Sequence, residues 1–265
     1  MDLQLENKIA VVTGGSKGIG RIISLALALE KCTVVVVARE QSALDLVTQE
    51  IKSKGGRAVP FAADLCNQAE IQKLVEFVQN NWGRIDILVN NLGGIRKFSS
   101  FEALSDQEWL DIFNLNVFST VKVTRAFLPL MQKQQKGRII NMSSEVGIQP
   151  EPHGVHYSAA KACINSITKS LAKAYGKDGI LVNAVSPSFT LTQEIEGLIY
   201  KRAETMQITP DQVLANLMKG RSPYAINRPA RSEEVASMVL YLASELSSFV
   251  TGANFRVDGG TVENI

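Results

Sequence analysis

A tyrosine and a lysine stand four residues apart in YSAAK, residues 157–161. The stretch that follows, ACINSITKSLAKAYG, is rich in helix formers, and on a helix residues i and i+4 share a face. The Tyr157 phenol and the Lys161 ammonium are therefore expected to lean into one space, with only Ser158, Ala159 and Ala160 between them. An isolated pair of this kind is usually an ordinary surface pair. Beside a substrate it is a proton-transfer device. A phenol with an ordinary pKa of about 10 becomes a usable acid or base at neutral pH when a neighbouring cation stabilises its phenolate.

A second chemical signal lies near the start. The run KIAVVTG leads into TGGSKGIG, residues 13–20, and an apolar run of helical length, IGRIISLALALE, follows at once. Gly14, Gly18 and Gly20 let the backbone approach a pyrophosphate. The N-terminus of the next helix offers unpaired N–H groups and partial positive charge. Lys17 precedes the second glycine, so the spacing is not that of a nucleoside-triphosphate P-loop. A dinucleotide is the expected ligand. Its adenosine ribose would meet the end of the second strand, TVVVVA, at Ala38. An alanine there neither bonds a 2′-hydroxyl nor repels a 2′-phosphate, while Arg39 and Lys17 can pair with the phosphate. NADP(H) is thus favoured over NAD(H). The competing reading is Glu40, which would take the ribose hydroxyl if the strand ran two residues further.

These groups need a scaffold. Short apolar runs, KIAVVTG, TVVVVA, RAVPFA, IDILVNN, GRIINMSS, GILVNAVSP and ANFRVDGG, alternate with helical stretches. Continuous rather than alternating apolar strands imply burial on both faces, and strand–helix alternation implies parallel strands joined by right-handed crossovers. The expected fold is α/β: one doubly wound, Rossmann-type domain over residues 1–265, with a seven-stranded parallel sheet. SDQEWLDIFNLNVFSTVKVTRAFLPLMQ (105–132) reads as one long helix opened by a Ser105/Glu108 capping box. Residues 188–228 break the rhythm and read as a substrate lid, with a short helix starting at Thr209-Pro210.

Bulk composition narrows the function classes. Hydrophobic residues make up 45% and charged residues 20%, and the net charge is +2. No basic block suggests nucleic acid or an anionic membrane. No charged-then-apolar leader or spanning run is visible. Three scattered cysteines and two histidines suggest reduced thiols in the cytoplasm and no metal site.

TGGSKGIG (13–20), NNLGG (90–94), Asn116, Ser144 and YSAAK (157–161), in this order, resemble the short-chain dehydrogenase/reductase family, in its subgroup of small soluble enzymes that includes 3-oxoacyl-carrier-protein reductases. The resemblance runs from Leu5 to Gly260. It implies an oxidoreductase that moves a hydride between nicotinamide and a ketone or secondary alcohol. Tyr157 would be the acid/base, Lys161 would lower its pKa and hold the nicotinamide ribose, and Ser144 would orient the carbonyl. Asn116 would anchor a proton path at a helix kink, with Asn114 as a nearby decoy. The cofactor bed so implied comprises Gly14, Ser16, Lys17, Gly18, Ile19, Gly20, Arg39, Asp64, Leu65, Asn90, Tyr157, Lys161, Pro187, Thr190 and Thr192. The resemblance and the long helices also imply a homotetramer or homodimer.

Three positions depart from the family pattern: Leu92 for alanine, Ser188 for the glycine after Pro187, and Lys31 where a glycine commonly ends the first helix. Leu92 is expected to crowd the adenosine side. A vestigial, cofactor-binding scaffold is the second reading these departures permit. Substrate choice is expected in two places. The 144–157 loop offers Glu145, Gln149, Glu151, His153 and His156, and the lid offers Phe189, Leu191, Ile195, Leu198, Ile199, Tyr200, Met206, Leu214, Leu217 and Met218.

Overall fold

The computed structural model describes residues 2–95, 97–219 and 225–264. In chain order the elements are β1 (Ile9–Thr13), α1 (Gly18–Leu29), β2 (Thr33–Ala38), α2 (Gln41–Ser53), β3 (Arg57–Ala62), α3 (Gln68–Trp82), β4 (Ile87–Asn90), α4 (Asp106–Phe113), α5 (Ser119–Gln134), β5 (Gly137–Met142), α6 (Val155–Tyr175), β6 (Ile180–Pro187), β7 (Thr190–Leu191), α7 (Gln193–Met206), α8 (Pro210–Lys219), β8 (Ala230–Arg231), α9 (Ser232–Ala243) and β9 (Asn254–Val257). Seven strands form one sheet in the order β3-β2-β1-β4-β5-β6-β9, parallel throughout. The expected sheet is therefore present. Strand order reverses between β1 and β4, which opens a crevice at the carboxyl ends of the strands.

The valine run of β2 shows why the sheet is buried on both faces. Side chains alternate along a strand, so Val34 and Val36 enter one apolar layer with Ile23, Leu27, Leu44 and Val239. Val35 and Val37 enter the other with Leu74, Val123, Phe127 and Met131. Lys31 does close α1 in the left-handed region, with φ 63°. Among the described residues, no helix is long and apolar enough to cross a membrane.

The expected long helix is interrupted. Ser105 and Glu108 form the capping box of α4, but a π-turn over Asn114–Phe118 separates α4 from α5. A π-turn releases backbone groups from the α-helical ladder. Here Asn116 Nδ2 donates to Ile112 O at 3.0 Å and Thr120 Oγ1 donates to Asn116 O at 3.2 Å. The 188–228 stretch is only partly described. Its α7 and α8 pack on each other through Ile199, Ala203 and Val213, and residues 220–224 lie outside the described set.

Candidate active site

The glycine turn is fixed by backbone geometry. Gly14 (φ 61°) and Gly18 (φ 55°) occupy the left-handed region, where a side chain is strained. A Cβ on Gly20 would lie 2.3 Å from Gly14 O and 2.3 Å from Asn91 Nδ2, so α1 can approach the turn only without one. Asn91 Nδ2 donates to Thr13 O at 2.9 Å and Gly14 O at 3.1 Å, and the Asn91 and Leu92 amides both donate to Thr13 Oγ1 at 2.9 Å. Asn91 was not among the expected site residues. Its signal was the paired asparagines at the end of β4, a polar demand inside an apolar run.

The turn opens into a cleft of about 1370 Å³ at the switch point. Ser16, Lys17, Ile19, Arg39, Asp64, Leu65, Pro187, Thr190 and Thr192 all border it. The residues present fit a dinucleotide pyrophosphate. The Gly18 amide at the start of α1 already donates to a carboxylate oxygen, Glu194 Oε1 of α7, at 3.3 Å. That oxygen stands in for a phosphate oxygen. β2 ends at Ala38, which meets the condition on which Arg39 rather than Glu40 follows the strand end. Glu40 is turned to Lys17, Oε2 to Nζ 2.7 Å, with both side chains more than half exposed. Lys17 holds the Glu40 carboxyl below its usual range.

Asn90, grouped with the cofactor bed as the residue that ties the strand ends together beneath it, makes those ties but does not line the cleft. It is 3% exposed and donates to Thr124 Oγ1 and Asn141 Oδ1, both at 2.9 Å. It joins β4, β5 and α5 behind the cleft and does not border it, because the strand pleat turns it away from the crevice.

At the far end, Ser144, Tyr157 and Lys161 meet. Lys161 is 3% exposed. Its Nζ donates to Met142 O at 2.8 Å and stands 5.5 Å from the Tyr157 ring centroid. Burial pulls the Lys161 pKa down to about 8. The expected lowering of the Tyr157 pKa by Lys161 is not what the structure holds. Burial pushes the phenol above its ordinary value, the Glu145 charge adds to this, and a hydrogen bond with Ser144 opposes it. Both partners have lost water, and desolvation disfavours the charged form of each.

Asn116 lies in the π-turn, 1% exposed. It accepts from Gly94 N at 2.9 Å and donates to Gly94 O at 3.0 Å. It thereby clamps the loop after β4, where a Cβ on Gly93 would lie 2.6 Å from Asn116 Oδ1 and 3.2 Å from Lys161 Nζ. Asn116 reaches this loop and the neighbourhood of Lys161. Asn114 only borders the cleft.

A family model for the short chain dehydrogenases matches residues 8–200. The chain belongs to the short-chain dehydrogenase family. It is 35% identical over 260 residues to the 3-oxoacyl-acyl-carrier-protein reductase FabG of Thermotoga maritima, covering 98% of this chain and 100% of that one. The L-sorbose reductase of Gluconobacter frateurii, solved with NADPH and L-sorbose, superposes with a TM-score of 0.93 at 30% identity, covering 100% of each chain. An actinorhodin polyketide ketoreductase solved with NADPH gives a TM-score of 0.88 at 30% identity, covering 98% of this chain and 99% of that one. This short-chain dehydrogenase is an oxidoreductase acting on carbonyl or CH–OH groups with NAD(P).

The departures of this short-chain dehydrogenase have structural outcomes. Leu92 is half-buried: it packs on the layer containing Leu74 and Val123 and also borders the cleft. Ser188 is 8% exposed, and its Oγ has no hydrogen-bond partner among the described residues. The 144–157 loop divides. Glu145, Glu151 and His153 border the cleft. Gln149 instead reaches the C-terminal segment, donating to Thr261 O at 3.3 Å and accepting from Glu263 N at 2.9 Å. His156 is 3% exposed, edge-on to Trp109 at 6.1 Å, and burial lowers its pKa. Of the residues expected in a lid, Phe189, Ile195, Leu198, Ile199 and Leu217 border the cleft, whereas Leu191 and Leu214 pack against Ile199, Ala203 and Val213. Tyr200 and Met206 face solvent. Arg202, not expected, also borders the cleft.

Proposed function

We propose that this enzyme is an NADP(H)-dependent ketone reductase in which Tyr157 is the general acid. The observation that carries the reading is the meeting of Ser144, Tyr157 and Lys161 in the same cleft as the glycine turn. A bound nicotinamide supplies the hydride to the carbonyl carbon. Ser144 orients the carbonyl oxygen, and Tyr157, protonated at neutral pH because burial raises it, gives its proton to that oxygen. Lys161 then faces the phenolate at 5.5 Å from the ring centroid and stabilises it. Asn116 holds the Gly93-Gly94 loop against Lys161 and anchors the proton path. Pro187, Thr190 and Thr192 bed the nicotinamide end.

The preference for NADP(H) rests on Ala38 ending β2, with the Arg39 guanidinium beside it and Lys17 across the turn. Arg39 is always charged and presents a planar fork suited to a phosphate. The NADPH complexes of the two related reductases support it. Residues 188–228 form the substrate lid of a single domain over 1–265. The chain works in the cytoplasm, in keeping with its three free cysteines. It assembles as a homotetramer or homodimer, supported by the exposed Leu110 and Phe118 of the 105–132 segment.

Fluorescence titration with NADPH and then NADH tests the cofactor. NADPH is expected to bind more tightly by at least tenfold, and Arg39→Ala to remove most of that difference. Tighter NADH binding would return the ribose to Glu40 and overturn the assignment. For the acid, kcat of Tyr157→Phe is expected to fall by roughly 10²- to 10⁴-fold with NADPH affinity retained. Undiminished turnover would remove Tyr157 from the mechanism.

A further inference from the structure

α1 has no cap of its own. Its N-cap residue, Lys17, makes no capping hydrogen bond, and its first turn carries no acidic side chain. The first amides of a helix need acceptors, and the positive end of the helix dipole favours an anion. Here the acceptor comes from 176 residues away: Glu194 of α7, whose Oε1 accepts from the Gly18 amide at 3.3 Å. A Cβ on Gly18 would lie 3.8 Å from Glu194 Oε2 and 3.7 Å from Thr192 Cγ2. The carboxylate and the N-cap of α7 therefore rest on the glycine turn itself. Among the described residues, that amide is the side chain's only hydrogen-bond partner.

We infer that Glu194 is a tethered competitor for the pyrophosphate: it holds the seat at the Gly18 amide in the free enzyme, and a dinucleotide binds only by expelling it and untying the start of α7 from the glycine turn. The inference rests on the NADP(H)-reductase reading and adds a control on that same site. A carboxylate and a pyrophosphate cannot both occupy one amide donor, and as like charges they repel at that range. Only the untied fraction of the enzyme is competent to bind, so the tie lowers cofactor affinity by that fraction. By reciprocity, the cofactor weakens the tie by the same factor. α7 is the element that responds, since its Ile195, Leu198 and Ile199 border the cleft. Its own N-terminus does not depend on Glu194, because Glu196 also lies in its first turn. The contact thus makes the hold on α7 depend on whether the pyrophosphate seat is filled.

The test compares Glu194→Ala with Glu196→Ala. Each removes one first-turn carboxylate from α7, but only Glu194 borders the cleft. Wild type and both variants are titrated by calorimetry with NADPH, with NADH, and with adenosine 2′-monophosphate, which lacks the pyrophosphate. Glu194→Ala is expected to bind both dinucleotides about three- to tenfold more tightly than wild type. The factor should be the same for each, because they share the pyrophosphate. The monophosphate is expected to bind wild type and Glu194→Ala alike, and Glu196→Ala to stay within about twofold of wild type for every ligand. Dinucleotide affinity that is unchanged or weaker in Glu194→Ala overturns the inference. So does an equal gain in Glu196→Ala or for the monophosphate, since the effect would then be one of general charge. A wild type that prefers NADH overturns the NADP(H) assignment alone, and the gain in Glu194→Ala still decides the role of Glu194. Absence of dinucleotide binding in all three proteins overturns both. A second measurement needs no ligand. In the free chain, α7 amides are expected to exchange faster in Glu194→Ala than in Glu196→Ala, and equal rates overturn the tie.

Discussion

At the glycine turn, position is set by backbone. Left-handed glycines, a helix start with no room for a Cβ at Gly20, and the Asn91 side chain hold Thr13 and Gly14 in place. Across the cleft, α7 and α8 are held to each other by three buried apolar side chains, Ile199, Ala203 and Val213. The sheet below draws on two broad layers of valine, leucine and isoleucine. On the proposed function, one region binds a ligand that must be met the same way at every turnover. The other, on the same reading, covers the substrate and would be free to vary without disturbing the sheet. Local stability follows buried apolar contact, so the two should respond differently to equal chemical insults.

Leu74→Ala, in the layer between the sheet and α3, should show the largest loss. Truncating a fully buried leucine costs about 2–5 kcal/mol, and differential scanning calorimetry should record a Tm lower by roughly 5–15 °C. A shift of only a degree or two would mean that the sheet layers are no firmer than the cover.

Lys161→Met should move the opposite way. The Lys161 pKa falls from 10.5 to about 8 in the fold, which at 1.36 kcal/mol per unit is a burial penalty of about 3 kcal/mol. The hydrogen bond to Met142 O offsets about 1 kcal/mol of what removal would gain. The variant should be inactive yet melt a few degrees higher at neutral pH. The sign with pH follows from the depressed value. The penalty is full below pH 8, where both folded and unfolded lysines are charged. It is relieved as pH rises from 8 to 10.5, where only the unfolded lysine still binds its proton. The stability gap between variant and wild type should therefore close over that window in urea titrations, and a gap that widens would contradict the assignment.

Gly20→Ala should cost about 1–3 kcal/mol through overpacking against Gly14 O and weaken NADPH binding. Unaltered binding would show that the turn relaxes. Ile199→Ala should be mildest for the whole molecule. Its Tm should fall by no more than about 2 °C, while amide exchange in α7 and α8 quickens and KM rises.

The sheet, its order of helices and the two chemical motifs were legible because each rests on local rules. Continuous apolar runs signal two-sided burial, and glycines signal a turn that only they can make. What escaped depends on distance in space. Nothing in YSAAK shows that the Lys161 ammonium will be spent on Met142 O, or that burial will outweigh it at Tyr157. Asn91 escaped because its task is to bond backbone 77 residues away in sequence. His153 and His156 look alike in the loop. Helical phase turns His156 into the packing against Trp109 and leaves His153 at the cleft. The apolar periodicity of 105–132 fits an unbroken α-helix equally well, so the kink at Asn116 was legible only through the family resemblance, and its form as a π-turn only in the structure.

The small ribbon of β7 and β8 has a consequence of its own. Thr190 pairs with Ala230 and Leu191 with Arg231, and Ala230 N donates to Phe189 O at 3.0 Å. The chain thus leaves the main sheet after β6 and returns to α9 through the same stitched doorway. Whatever is threaded between those two points is a cassette, and the entropic cost of closing it grows only with the logarithm of its length. Cassettes of different size and composition can be exchanged at this doorway, each presenting a new ceiling to an unaltered floor.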